Sequence, residues 1–212
     1  MSIYSPGDKE VHVSTSIDRA PTRSATRDLA QIAVFAALIV VLGLPGQISI
    51  GSAGVPITLQ TLGVMLAGAL LGWRKGLLSV LAVIVIGLAL PVLAGGRTTL
   101  TALASPTAGF LLGWLPAVVV IGLLTALMMP RYRLIPGLLI NILGGIVVIY
   151  AFGVVGMLIR TELTLTAAIA ANGVFVPGDL LKAVITAVVA VQVHKARPGL
   201  IAPLRGQRPS QT

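Results

Sequence analysis

Apolar residues fill six long runs of this chain, and most of the polar positions fall between or beyond them. The runs are Leu29 to Leu44, Ile57 to Gly72, Gly76 to Leu93, Thr107 to Met129, Leu134 to Ile159 and Val176 to Val193. Gly, Pro and charged residues punctuate them, so the pattern predicts six helices in a membrane bundle. A spanning helix needs about 20 apolar residues. The first two runs have only 16 each, which at about 1.5 Å per residue reach roughly 24 Å against a hydrocarbon core of about 30 Å. Those two helices therefore either extend past these boundaries or sit where the bilayer thins. Residues Glu162 to Gly173 leave room for a further short helix at the surface.

Composition sets the class: 56% of the 212 residues are hydrophobic and 10% charged, against about 25% charged in an average soluble domain. The expected class is all-α and polytopic, a single membrane domain over residues 29–194. The first 28 residues, rich in Ser, Thr, Pro and both charge signs, cannot bury enough apolar surface to order themselves. They are expected to form a disordered cytoplasmic tail, and residues 195–212 a second, basic one. Arg23 and Arg27 before an apolar run also suit a signal peptide. Such peptides total about 15 to 30 residues, however, and here the apolar run begins only at Leu29.

The net charge of +9 does not point to nucleic acid, because the cations lie in short clusters between apolar runs rather than along a solvated face. Their placement predicts topology instead. With the N-terminus inside, twelve of the fifteen basic residues fall on the cytoplasmic side: those of both tails, Arg74 and Lys75, and Arg131 and Arg133. Arg97 and Arg160 fall outside and Lys182 within the last span. Positive charge in short loops sets orientation, so the chain is expected to be N-in and C-in.

That orientation locates the unusual residues. Between Leu29 and Val193 the only acids are Glu162 and Asp179. An ionisable group in hydrocarbon costs about 2.5 to 3.5 kcal/mol on insertion scales, so it marks a functional site by default. The sixth run must pass from outside to inside, which puts Val-Pro-Gly-Asp-Leu-Leu-Lys, residues 176–182, at its outer end. Pro177 suits a helix start, Asp179 meets the positive end of the helix dipole, and Lys182 shares its face at i, i+3. Arg97, after Ala94-Gly95-Gly96, is also external. Taken singly, Asp179 reads as a cap, Lys182 as a snorkelling side chain and Arg97 as a solvated loop residue. Taken together they describe an outward-facing pocket for a small molecule bearing a carboxylate and polar hydrogen-bonding groups.

Weaker signals surround them. Gln60 and Asn141 are amides inside apolar runs, suited to interhelical hydrogen bonds or to ligand contact. Gly68, Gly72 and Gly76, Gly109 and Gly113, and Ala33 and Ala37 repeat at four-residue spacing, which lets helix backbones approach closely. Such repeats mostly serve internal packing, although Ala33 and Ala37 in a first span also suit a partner helix. The stretch Pro45 to Pro56, with Gly46, Gly51, Ser52 and Gly54, reads as a loop able to cover a pocket. There is no cysteine, and the histidines His12 and His194 stand at the polar ends, which leaves no thiolate chemistry, no His-ligated metal within the spans and no Ser/His pair there. There is no G-x-x-x-x-G-K-[ST] loop to cradle ATP. Uphill transport would need a partner's energy. No catalysis, cofactor or metal is expected.

Five ordered segments carry a resemblance. They are Val-Pro-Ile-Thr-Leu-Gln-Thr-Leu at 55–62, Leu-Ala-Gly-Ala-Leu-Leu-Gly at 66–72, Leu-Pro-Val through Gly-Gly-Arg at 90–97, Pro-Thr-Ala-Gly-Phe at 106–110, and Pro-Gly-Asp-Leu-Leu-Lys at 177–182. In this order, over roughly residues 29–193, the chain resembles the BioY family, the biotin-binding S components of energy-coupling factor transporters. Ala108 stands where the family pattern has glycine and Phe110 where it has tyrosine; neither change removes a charge. The resemblance implies a six-helix subunit of the bacterial cell membrane holding biotin near its outer face. It implies that Arg97 and Lys182 hold the valerate carboxylate while Asp179 accepts from the ureido nitrogens. This chemistry agrees with donors and acceptors that those side chains carry. It also implies that Ala33 and Ala37 contact a transmembrane coupling protein, which works with two cytosolic ATPases, and that the S component tilts to release its vitamin inside. The residues alone leave open an S component for another vitamin, or a membrane scaffold without ligand.

Overall fold

The computed structural model of the chain describes residues 22–45, 48–49 and 56–204. Its elements are helices α1 (Thr22–Val41), α2 (Gln60–Ala89), α3 (Thr99–Leu103), α4 (Ala108–Met128), α5 (Leu134–Ile142), a π-helical segment (Leu143–Val148), α6 (Ile149–Arg160), α7 (Leu165–Asn172) and α8 (Val176–Ala196). Two-residue strands at Ile48–Ser49 and Pro56–Ile57 pair antiparallel, Ile48 opposite Ile57. The loop stretch Pro45 to Pro56 otherwise lies outside the described residues, including Gly46, Gly51, Ser52 and Gly54. Among the described residues, four helices are long and apolar enough to cross a membrane: α2, α4, the continuous helix Leu134–Arg160 and α8.

The sixth, fifth and fourth runs become helices within a few residues of their expected ends, and α7 occupies the expected surface position. The first departs. Helix α1 starts at Thr22 rather than Leu29, so residues 22–28 are helical and not a disordered tail. Asp28 bonds Lys75 Nζ at 3.2 Å, and Gln31 Oε1 accepts from the same ammonium at 2.7 Å. This tie to a neighbouring helix holds the added turns in place. At the other terminus part of the expected basic tail packs on the bundle, with Ile201 buried against Ala126 and Met129. Leu204 N–H donates to Ala126 O at 3.2 Å, filling one of the carbonyls that the end of α4 leaves unpaired.

The second and third runs are joined without the loop expected at residues 73–75. Gly72 is the single non-helical residue in α2, at φ 76° and ψ −178°, a left-handed φ that glycine alone adopts without strain. A straight 30-residue helix would span about 45 Å. Instead Gln60, at one end, bonds Val92 O at 3.3 Å and Ala94 N at 2.9 Å, just beyond the other. The chain therefore reverses at Gly72, and α2 is a hairpin of two antiparallel arms, residues 60–71 and 73–89. Gly76 lets the arms close: a Cβ there would lie 3.1 Å from Ala67 O. The remaining glycine repeats also serve packing. Gly68 faces Ile121 on α4, and Gly109 abuts Gly156 and the Phe152 carbonyl on α6.

The hairpin and α4 form the centre of the bundle, where Val64, Ala67, Val80 and Val83 meet Ala117 and Val118. α1 packs on one flank through Ala36 and Ile39. On the other, α8 brings Ala183 and Ala190 against Met65, Ala69 and Ile146. The outward side chains are apolar too, among them Val85, Ile135, Ile159 and Leu181, as hydrocarbon around the bundle requires.

Candidate functional site

Charges inside this bundle are confined to one end of it. α8 opens with Pro177 in its first turn and carries Asp179 there, where a carboxylate gains from the positive helix terminus. One turn on, Lys182 Nζ lies 2.8 Å from Asp179 Oδ1, and both side chains are buried. The ammonium also donates to the carbonyl of Thr58 and to Thr61 Oγ1, the latter at 2.9 Å. Asp179 is bound equally fully: Thr61 Oγ1 donates to Oδ1 at 3.4 Å and Tyr150 OH to Oδ2 at 2.7 Å. Three groups, from the segment before α2, from α2 and from α6, thus fix the pair. Burial of two charges is tolerated only when each is paired and hydrogen-bonded. This arrangement removes the simplest structural reading of each residue, since Asp179 makes no capping bond to α8 and Lys182 does not reach to an interface.

Arg97 approaches the same cavity from another element. After Pro91 the chain makes a narrow turn in which Leu93 and Arg97 exchange both backbone hydrogen bonds, at 3.0 and 3.2 Å. Gly95 and Gly96 at its tip have φ of 76° and 69°, which explains the glycine pair. The half-buried guanidinium donates through Nε to Ala94 O at 3.2 Å and through Nη1 to Thr107 Oγ1 at 3.1 Å. No carboxylate pairs with it among the described residues. Burial pushes its pKa below the ordinary value, the mark of a cation stripped of water without an anion in exchange.

These residues line one cavity of about 650 Å³, a figure that includes its open mouth. Thr58, Thr61, Asp179 and Lys182 form the polar floor; Arg97 and Thr107 form a second polar edge. Phe110, Leu111, Trp114, Ile149, Tyr150 and Phe175 complete most of the lining. Phe110, Tyr150 and Phe175 meet edge to face, with ring centroids 6.1 to 6.5 Å apart. The cavity therefore offers an anion-accepting edge, an apolar aromatic wall and a mixed donor–acceptor floor. This suits an amphiphilic acid of small size.

Gln60 lies in the wall, but its amide is committed to the backbone: Nε2 donates to Ile39 O at 3.2 Å and Val92 O at 3.3 Å, and Oε1 accepts from Ala94 N. It clips the hairpin ends and α1 around the Arg97 turn. Asn141 is a correction, because it lies outside the cavity lining and its Nδ2 bonds Gly137 O at 2.8 Å. It sits two turns into α5, which starts from the end of the bundle opposite the cavity. Sequence reasoning missed Tyr150, Thr61, Thr107 and the aromatic wall. Tyr150 carried a signal, as the one hydroxyl-bearing ring in the fifth run, since a buried Tyr hydroxyl requires a partner. Ala33 and Ala37, by contrast, lie exposed on the outer face of α1.

The sequence pattern of the BioY family matches residues 13–199. This chain belongs to the BioY family. A biotin transporter BioY of Rhizobium etli is 44% identical over 180 residues, which covers 82% of this chain and 96% of that one. The biotin transporter BioY of Rhodobacter capsulatus is 45% identical over 189 residues, with 82% and 97% covered. Among solved structures, the S-component for biotin from an ECF-type ABC transporter superposes with a TM-score of 0.80 at 31% identity, covering 84% of this chain and 96% of that one. The family match thus spans the bundle described above, including the turn that bears Arg97 and the helix that bears Asp179 and Lys182.

Proposed function

We propose that this chain is the biotin-capturing S component of an ECF-type, ATP-driven importer in the cell membrane. The carrying observation is one cavity that holds a buried Asp179–Lys182 pair at its floor and an acid-free, half-buried Arg97 at its edge. Biotin has matching parts. Its valerate carboxylate suits Arg97, and its ureido ring, with two N–H donors and one carbonyl, suits the floor, where Asp179 accepts and Lys182 donates. Because Lys182 is already neutralised by Asp179, this geometry favours Arg97 over Lys182 as the principal partner of the carboxylate. The bicyclic ring and its chain would then lie against Phe110, Trp114, Tyr150 and Phe175.

The chain crosses the membrane six times in this reading, α2 contributing two crossings through its hairpin, with both termini inside and the cavity outside. Support comes from the charge distribution: Arg74, Lys75, Arg131 and Arg133 share the end remote from the cavity. Ala33 and Ala37 on α1 meet the transmembrane coupling protein, and two cytosolic ATPases supply the energy.

The test is equilibrium binding of labelled biotin to the purified chain in detergent. Lys182→Ala and Asp179→Asn each weaken binding at least about tenfold, the loss expected when a hydrogen bond to a charged group goes. Unchanged affinity in both rejects the site. Unlabelled thiamin or riboflavin fails to compete, and competition by either reassigns the vitamin. Since the chain has no cysteine, Arg133→Cys and Glu162→Cys also report sidedness: impermeant reagent added outside whole cells labels only the second.

A further inference from the structure

The end of the bundle opposite the cavity carries a second feature, unrelated to the vitamin. Tyr132 and His194 stack with ring centroids 5.2 Å apart and 19° between planes. His194 is further held through Nε2 at 2.9 Å from Ala69 O. This contact joins the α4–α5 connection to the end of α8. Tyr132 is flanked by Arg131 and Arg133, and His194 is followed by Lys195 and Arg197, so the stack gathers four cations within three residues of it. All four are exposed. None has an acidic partner among the described residues, whose only ion pairs are Lys75–Asp28 and Lys182–Asp179. Burial raises the Tyr132 phenol to about 12, so the ring adds no anion to the cluster.

The surface next to these cations is apolar on both helices. Ile135, in the first turn of α5, is 70% exposed. Val188 on α8 is 44% exposed and lies seven residues before Lys195, hence on the same helical face. α5 packs along α8, and both helices carry exposed apolar side chains toward the end that bears these cations. A ligand that satisfies both parts has an anionic head and long apolar chains.

We propose that the Arg131, Arg133, Lys195 and Arg197 cluster, with the adjoining α5–α8 face, is a binding site for an anionic phospholipid. The phosphodiester, with its single negative charge, is held among the four cations at the headgroup level, and the acyl chains run along Ile135 and Val188. A diffuse excess of loop charge would not need the ring stack. Here the stack fixes both backbone segments, so the cations are positioned before the lipid arrives and little ordering entropy is lost.

Native mass spectrometry of the full chain in neutral detergent, supplied with phosphatidylglycerol or phosphatidylcholine, tests this. The wild type retains phosphatidylglycerol in preference to phosphatidylcholine. Arg131→Gln/Arg133→Gln and Lys195→Gln/Arg197→Gln each reduce that retention roughly thirtyfold. Arg27→Gln/Arg74→Gln, which removes the same charge while leaving the four proposed lipid-binding cations in place, leaves retention unchanged. Equal loss in this third variant overturns the proposal in favour of a diffuse field. Displacement of the lipid by millimolar inorganic phosphate overturns it in favour of a free-anion site, and equal retention of both lipids overturns it outright. Circular dichroism and a monodisperse elution profile establish folding of each variant without reference to the vitamin pocket.

Discussion

The Asp179–Lys182 pair is held so completely that its removal separates two roles. Asp179 Oδ2 accepts from Tyr150 at 2.7 Å while Oδ1 accepts from Lys182 at 2.8 Å. Taking away one member leaves the other as an unpaired buried charge, at a cost of about 3 to 5 kcal/mol, whereas replacing both by neutral groups of similar shape is often close to neutral. Lys182→Met should therefore lower the thermal unfolding temperature sharply in detergent. Asp179→Asn/Lys182→Met should recover most of that loss and still fail to bind biotin. A double variant as unstable as the single one would show that the damage is not an orphaned carboxylate. Recovery of stability in the double variant without recovery of binding would assign the pair to recognition more than to stability. This accords with its position at the floor of a cavity rather than in the core.

At the scale of elements, the bundle depends on backbones that approach where a side chain would not fit. A Cβ on Gly109 would collide with the carbonyl of Phe152 and the backbone of Gly156, none of which can rotate away. At Gly72 there is room, since Ile201 lies 3.5 Å off, but φ is +76°. Gly178 has nothing within 4 Å. Overpacking costs about 1 to 3 kcal/mol and a left-handed non-glycine residue about 1 to 2 kcal/mol. Thermal unfolding should thus rank Gly109→Ala and Gly72→Ala as destabilised and Gly178→Ala as unaffected by packing. An unperturbed Gly109→Ala would contradict the α4–α6 crossing. Apolar length made the runs of α4, Leu134–Arg160 and α8 legible in the sequence, because hydrocarbon demands that length. The reversal between the second and third runs was legible from Arg74 and Lys75 between them, but not that a single glycine conformation at Gly72, rather than a loop, makes it. Nor was the π segment Leu143–Val148, which sets the rotation of the following residues, among them Ile149 and Tyr150 of the cavity. Asp179, Lys182 and Arg97 were legible because charge is rare here and its chemistry is explicit. Asn141 misled because polarity within a run does not reveal at which end, or toward which neighbour, the amide points.

In the importer proposed above, capture and coupling fall on different surfaces of the whole molecule. The cavity draws its lining from the hairpin, α3, α4, α6 and α8 and from the turn before α3, and includes no residue of α1. α1 packs on α2 through Ala36 and Ile39 and turns Ala33 and Ala37 outward. Both outward residues are small, so enlarging them costs the isolated bundle no internal contact, while a helix of the coupling protein that relies on close backbone approach would be pushed away. Ala33→Leu/Ala37→Leu should therefore bind biotin with wild-type affinity after purification. In cells supplying the coupling protein and ATPases, the same variant should lose at least about tenfold in biotin uptake, equivalent to some 1.4 kcal/mol of lost association, and should no longer copurify with them. Loss of binding by the isolated variant would mean that α1 shapes the cavity after all. Full uptake would move the coupling surface to another helix, and intact binding with failed uptake is the separation that this architecture requires.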